Sequence, residues 1–337
     1  MRTARPARLA AIVATTVTAA VALAACGDSQ EPTNVASTGG SVEVTIGALS
    51  NGVAKEVTLT VKRVDSIRAQ LPAEVRDSGT LVIGLGELPN GTPPLGYIGE
   101  DQKTFTGSEP DLGRLVAAVL GLTPKYENST WENLFVGIDG GRSHVGIDNI
   151  TVTEQRKLKY DFASYREDNL AFEVRGDDSW NFDGTAQSLA GKTVSVGAGT
   201  NQEKILLQWQ SELKAQGKTL TVKHFPDYNT MYIALAGRQI DIVFRPNPSI
   251  AYHMAQVADT PNPTRNAGTY SGAGKTLQGL IAATVKKDSG LAKPIADAIN
   301  HLIQNGQYAT WLDAWGLANE KVATSEVNPP GLPLSNS

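Results

Sequence analysis

Val145-Gly-Ile-Asp-Asn-Ile-Thr-Val-Thr-Glu-Gln-Arg156, followed by Tyr160-Asp-Phe-Ala-Ser-Tyr165, is the stretch on which the reading of this chain turns. A strand-like run delivers Asn149, Thr151 and Thr153 to one end, and Glu154-Gln-Arg156 reads as the first turn of a short helix. That turn sets a guanidinium beside a hydroxyl and free backbone N–H groups, which together suit a carboxylate. Arginine fits the task because its planar fork bonds both oxygens at once. Taken by position alone, Arg156 is a surface residue pairing with Glu154 or Asp161, since helix N-termini prefer anions to cations.

Outward from this stretch, short apolar runs alternate with amphipathic helices. Leu81 to Leu85 has the continuous apolar character of a buried strand. Ser108-Glu-Pro-Asp111 reads as a capping box with proline in the first turn, and Leu112, Leu115, Val116, Val119 and Leu120 follow at helical spacing. Gly121 and Pro124 end that helix. The alternation continues through Val194, Ile242-Val-Phe244 and Leu280-Ile-Ala282, which predicts an α/β fold with mostly parallel sheets. Upstream, Val42, Val44 and Ile46 alternate with polar residues, as do Val57, Leu59 and Val61, with Ser50-Asn-Gly52 between. This is a β-hairpin pattern, expected over 41–66 as an extension packed on a lobe.

The Thr151-x-Thr153-x-x-Arg156 stretch resembles the signature of the family 3 bacterial extracellular solute-binding proteins, receptors of polar amino-acid ABC transporters. Gly79-Thr-Leu-Val-Ile-Gly84, Gly107-Ser-Glu-Pro-Asp-Leu112, Leu189-Ala-Gly-Lys-Thr-Val194 and Asn305-Gly-Gln-Tyr-Ala309 with Trp315-Gly316 carry the likeness from about Leu71 to Leu317. The resemblance implies a two-lobed, periplasmic-binding-protein-like fold of type II. Lobe 1 would be 67–174 and 270–320, lobe 2 would be 175–269, and two chain crossings would form the hinge. Residues 321–337, with Pro329, Pro330 and Pro333, are expected to be a disordered tail.

By the same resemblance Arg156 and Thr151 hold the ligand's carboxylate, the backbone carbonyl of Asn149 faces its ammonium, and Trp131 stacks on its side chain. Val196-Gly-Ala-Gly-Thr-Asn-Gln202 is a strand, a glycine-rich turn and a helix start. There Thr200 can cap the helix while the N–H groups of Thr200 and Asn201 stay free for an anion. One departure matters. Relatives that bind amino acids usually carry an Asp for the ammonium after the strand matching Ile242-Val-Phe244, and this chain reads Arg245-Pro246-Asn247-Pro248. A buried ammonium without a counter-charge costs several kcal/mol. Either Glu87 or Asp227 substitutes, or the ligand is not a standard α-amino acid and Arg245 meets a second anionic group. His144 stands where the family commonly has a structural Asp, and is read as outside the pocket.

The N-terminus indicates where the protein works. Arg2, Arg5 and Arg8 precede an apolar run from Leu9 to Ala25, the pattern of a secretory signal peptide (1–25) rather than of a membrane span. It ends Leu23-Ala-Ala-Cys26-Gly27, which resembles a bacterial lipobox. Cys26 is the single cysteine in the chain, so an internal disulfide is excluded. Acyl chains on Cys26, at about 0.8 kcal/mol per buried methylene, would anchor the protein to the outer face of the membrane, with 26–40 as a flexible tether.

At 337 residues, 41% of them hydrophobic, the chain can build two ordinary cores. Its net charge of −4 becomes about −7 without the leader arginines, and basic residues are not interleaved with aromatics, which excludes a nucleic-acid groove. Gly272-Ala-Gly-Lys-Thr276 imitates a phosphate loop, but it lacks the first glycine and precedes a strand. His144, His224, His253 and His301 lack metal-ligand spacing, and no cofactor is implied. The expected partners are a small carboxylate-bearing solute and, by resemblance, ABC permease subunits, with the receptor a monomer. Two other roles share this fold: a sensor coupled to a membrane signalling protein, and a dehydratase-like enzyme. The latter needs a buried acid facing the ligand, for which Glu87, Glu109 and Glu173 are the candidates.

Overall fold

The structure is a computed structural model that describes residues 40–334. The expected signal peptide, Cys26, the expected tether up to residue 39 and the last three residues lie outside the described residues. Among the described residues, no helix is long and apolar enough to cross a membrane.

β1 (Ser41–Ile46) and β2 (Val57–Lys62) form the hairpin read from the sequence, pairing Val42 with Val61, Val44 with Leu59 and Ile46 with Val57. Because side chains alternate along a strand, this register puts all six on one face. The short helices α1 (Asp65–Arg68) and α2 (Ala73–Ser78) lead to β3 (Thr80–Leu85). After the small strands β4 (Tyr97–Ile98) and β5 (Phe105–Thr106) comes α3 (Ser108–Leu120). β6 (Thr123–Asn128), α4 (Trp131–Asp139) and β7 (Val145–Gly146) follow.

α3 is buried on nearly every side, because the hairpin covers the face that the sheet and later helices leave open. Val44, Ile46 and Val61 belong to the same core cluster as Leu112, Leu115 and Val116. The capping box expected at Ser108 is not formed. Gly107 is the N-cap, at a φ of +126°, and a Cβ there would lie 2.2 Å from the Leu95 carbonyl oxygen. Asp111 accepts instead from Gly47 N (2.7 Å) and Trp315 Nε1 (2.9 Å), tying hairpin and C-terminal helix to α3. Gly107→Ala is therefore expected to cost more than about 1 kcal/mol, read as a lower urea midpoint with unchanged slope.

β8 (Tyr160–Arg175) is one strand of 16 residues that runs through both lobes. Beyond it lie β9 (Thr193–Ser195), α5 (Asn201–Ala215), β10 (Thr221–Lys223), α6 (Tyr228–Ala236) and β11 (Ile242–Pro246). α7 (Asn247–Val257), β12 (Thr264–Ser271), β13 (Gly279–Lys286), α8 (Ala292–Gln304) and α9 (Gln307–Ala314) complete the described elements of regular α and β structure.

The sheet runs β10-β9-β11-β8-β13-β7-β3-β6, with β12 also on β8. β3 pairs parallel with β6 and β7, and β9 with β10 and β11, as the α/β alternation implies. The antiparallel pairings all involve the crossing strands β8 and β13. β8 pairs with β13 as far as Asp168 and with β12 from Asn169 onward, so residues 169–174, grouped with lobe 1 on sequence, pair here with strands of the other lobe.

Each lobe has its own core. Lobe 1 gathers Leu81, Ile83, Val116, Trp311 and Ile299. Lobe 2 is built on Phe172, whose ring stacks on Phe244 and on Phe182, both at 4.3 Å. The segment expected to be disordered is ordered over 321–334. Asn328 N donates to the Phe162 carbonyl (3.0 Å), and Leu332 exchanges backbone bonds with Val152 and Glu154 while its side chain, fully buried, joins the lobe 2 core. Proline at 329, 330 and 333 suppresses regular structure without preventing an extended strap in which the N–H groups of Asn328, Gly331 and Leu332 are bonded.

Candidate functional site

A cavity of about 380 Å³ opens between the lobes, within the range of small-molecule sites. Lobe 1 lines it with Glu87, Thr92, Trp131, Asp148 and Asn149, and lobe 2 with Thr200, Tyr228 and Arg245 among others. Thr130 caps α4 by accepting from Asn133 N (3.4 Å), which fixes Trp131 at the helix start. The Trp131 indole then donates across the cleft to the Gly199 carbonyl at 3.3 Å. A second crossing contact joins Thr92 Oγ1 and the Tyr228 hydroxyl at 3.5 Å.

Asn149 lies on the wall with a φ of +51°, a left-handed conformation that asparagine tolerates better than most residues. Its side-chain oxygen accepts from Arg166. Arg166 is fully buried and also bonds Glu109 (2.9 Å) and Glu320, while the Tyr165 hydroxyl donates to Glu109.

The residues of the signature stretch are arranged differently from a clamp open to the cavity. Arg156 opens a one-turn 3-10 helix and its amide donates to Thr153 Oγ1 at 3.0 Å. Its guanidinium donates to the Thr151 carbonyl (2.9 Å) and lies 5.4 Å from the Trp131 ring centre and 5.1 Å from that of Phe135. Neither Arg156 nor Thr151 lines the cavity. Burial lowers Arg156 to about 10, so it keeps its charge at neutral pH. The Thr151 hydroxyl donates to Asp168 Oδ2 at 2.6 Å, in a buried cluster at the crossing.

Asn201 joins that cluster, its amide donating to Asp168 Oδ2 (3.2 Å) and the Gly272 carbonyl (3.0 Å). Gly272 belongs to the stretch that imitates a phosphate loop, and its place explains one of those glycines. A Cβ there would lie 1.7 Å from Asp168 Oδ2. Thr200 is committed to capping α5, accepting from Glu203 N (3.2 Å) and donating to the Gly197 carbonyl (2.7 Å).

Arg245, at the end of β11, is buried on the cavity wall, its guanidinium carbon 3.5 Å from the Tyr228 ring centre. This stacking gives it a cation–π partner without a carboxylate in hydrogen-bond contact. Glu87 is buried beside Asp148, whose Oδ2 accepts from Gly86 N at 3.0 Å. Burial, reinforced by mutual repulsion, raises Glu87 well above the usual carboxylate range, and burial raises Asp148 to about 7. Asp148 escaped notice because it sits inside the signature stretch with no spacing that separates it from a strand residue.

Of the other acids singled out, Asp227 caps α6 by accepting from Thr230 N (2.8 Å) and Thr230 Oγ1 (2.9 Å), which lower it. Glu109 is enclosed by Arg166 and Tyr165. Glu173 is enclosed by Tyr232 (2.9 Å), His253 (2.5 Å) and Thr264 (2.6 Å). Both are off the cavity wall, and so is His144, whose ring nitrogen accepts from Val82 N at 3.1 Å. A dehydratase-like arrangement would therefore have only Glu87 of the three acids at the ligand.

The chain is similar to the L-cystine-binding protein TcyJ of Escherichia coli, 29% identical over 244 residues that cover 72% of this chain and 84% of that protein. It is 23% identical to the arginine-binding protein ArgT of Corynebacterium glutamicum, over 75% of this chain and 80% of the relative. A solved ancestral arginine-binding protein bound to arginine superposes with a TM-score of 0.59 at 25% identity, covering 70% of this chain and 98% of that one. The sequence profile of the bacterial extracellular solute-binding proteins, family 3, matches residues 88–318. With a cleft between two lobes and the family's profile spanning most of its length, this chain belongs to the family 3 bacterial extracellular solute-binding proteins.

Proposed function

We propose that this chain captures an amino acid or amino-acid derivative outside the cytoplasm and hands it to an ABC permease, held at the membrane by acyl chains on Cys26 and acting as a monomer. The observation that carries the capture reading is the cavity wall, to which both lobes contribute charged and aromatic side chains. A ligand touching both walls favours the closed lobes over the open ones, and only such differential affinity shifts the population. The relatives named for cystine and arginine support an amino-acid ligand.

For the ligand's carboxylate the proposal keeps the clamp implied by the family signature, Arg156 with Thr151, backed from lobe 2 by the Thr200 turn. Arg156 reaches it from beneath Trp131, which must swing aside. Arg245 is the second cation available to the ligand. Importer rather than sensor is the favoured role, since a further relative, over 37% of this chain, is named as a putative amino-acid ABC transporter-binding protein.

A thermal-shift screen of the protein from Gly27 onward, against single amino acids, tests this. An amino acid present at 100 times its dissociation constant adds about 2.7 kcal/mol, a shift of several degrees. Arg156→Ala is expected to abolish the shift at that concentration. A shift that survives in Arg156→Ala and disappears in Arg245→Ala would move the carboxylate to lobe 2. No shift with any amino acid would overturn the reading.

A further inference from the structure

Glu87 and Asp148 come from turns more than sixty residues apart, yet their carboxyls meet on the cavity wall. Both side chains are more than nine-tenths buried, and each keeps one oxygen without any hydrogen-bond partner, Glu87 Oε2 and Asp148 Oδ1. No donor from the rest of the protein reaches those oxygens, and the two carboxyls relieve each other only by sharing a proton, whose place a cationic donor from outside can take. The family's usual acid for the ligand's ammonium is replaced here by Pro246, and Asp227 is spent on its helix cap. The neighbouring cation Arg245 is held on Tyr228, away from the pair.

We propose that Glu87 and Asp148 together form the seat for a protonated amine of the ligand, on lobe 1, taking over the role left vacant at position 246. This rests on the amino-acid reading above. An amine supplies up to three N–H donors and a positive charge, so it satisfies both orphaned oxygens and removes the repulsion between the two carboxylates. A guanidinium satisfies the same pair with its fork. A ligand with carboxylate groups but no cation leaves the pair as it stands and gains nothing from it.

The groups facing the pair define its titration. Asp148 accepts from Gly86 N, Thr92 bonds Glu87, and Glu109 adds repulsion from α3, where it is itself bonded to Arg166 and Tyr165. In the unliganded protein burial raises both carboxyls, Asp148 to about 7, and a bound amine requires the ionised form. Affinity therefore rises with pH towards neutrality, and binding over that range releases a proton.

Calorimetric titration of the protein from Gly27 onward with L-arginine, L-cystine and L-glutamate, and with the N-acetyl form of any that binds, tests the seat. The expected result is binding of at least one amino acid, loss of more than tenfold in affinity on N-acetylation, and a similar loss in Glu87→Gln and Asp148→Asn. Both variants relieve a buried like-charge pair, so their urea midpoints at pH 8 are expected to equal or exceed that of the wild type. Weaker binding then reports the seat and not a damaged fold. Unchanged affinity in both variants, with the amino acid still bound, would overturn the seat and leave the receptor reading intact. Binding of no amino acid by the wild type overturns both.

Discussion

Replacing Arg166 by methionine is expected to destabilise the protein by about 3–5 kcal/mol, because it strands two carboxylates inside lobe 1. Arg166 is 1% exposed and bonds Glu109 and Glu320, both fully buried, and the side chain of Asn149. A buried ion pair contributes little beyond a well-packed apolar replacement, but removing one partner leaves the other charge without compensation. Even with Arg166 present, burial raises Glu320 to about 7. Its folded pKa lies above the unfolded value, so this group costs stability as pH rises from the ordinary carboxylate range towards 7. Without the guanidinium that cost grows. The deficit of Arg166→Met, read by urea unfolding, is thus expected to be larger at pH 8 than at pH 5, where Glu320 holds its proton. Arg166→Met combined with Glu109→Gln and Glu320→Gln should recover much of the loss. The site is touched as well, since Asn149 loses the bond that fixes its left-handed turn beside the cavity.

Leu332→Ala is expected to cost about 2–5 kcal/mol, although it lies among prolines near the end of the chain. Its side chain is fully buried in the core of lobe 2, while its backbone pairs with Val152 and Glu154 next to the signature turn. Leu334, 59% exposed, serves as the control, and Leu334→Ala should change stability by less than about 0.5 kcal/mol. The strap spans the crossing: Asn328 bonds Phe162 and Asp161 in lobe 1, and Lys204 of α5 donates to the Pro333 carbonyl at 2.8 Å. Equal, small effects of the two substitutions would show that the strap is not packed in solution.

Local pattern carried much of this fold. The alternation of Val42, Val44 and Ile46 against Val57, Leu59 and Val61 names the hairpin's inner face, because a period of two leaves one register that buries it. The 3.6-residue spacing of Leu112 to Leu120 names α3, and the apolar runs name the sheet. What pattern does not carry is pairing between distant polar groups. Nothing in Glu109 or Glu320 by itself indicates that one guanidinium lies between them, and Glu109 read alone is as good a catalytic acid as Glu87. The capping box at Ser108 failed for a similar reason: tertiary contacts to Gly47 and Trp315 claim Asp111, and Gly107 takes the cap. Leu332 is one apolar residue among prolines, and its burial depends on a groove that exists only after both lobes have folded.

The residues singled out on sequence for the ligand fall at the cavity or one layer behind it. Trp131, Asn149, Thr200, Asn201, Arg245 and Glu87 do meet at one cavity. Thr151 and Arg156 sit one layer away, with Thr151 bonded to Asp168 and Arg156 beneath Trp131. Asp168 and Asp148 carry no signature of their own, and Gly272 was read only as part of a false phosphate loop, since an acid in a strand and a glycine in a turn gain meaning only when the chain crossings bring them together.

Small-angle X-ray scattering on the protein from Gly27 onward, with and without a saturating amino acid taken from the thermal-shift screen, tests capture by lobe closure most directly. The account predicts that the radius of gyration falls on binding, and that Glu87→Gln needs at least tenfold more amino acid to reach the same compact form. A radius of gyration that stays constant while the amino acid binds would contradict it.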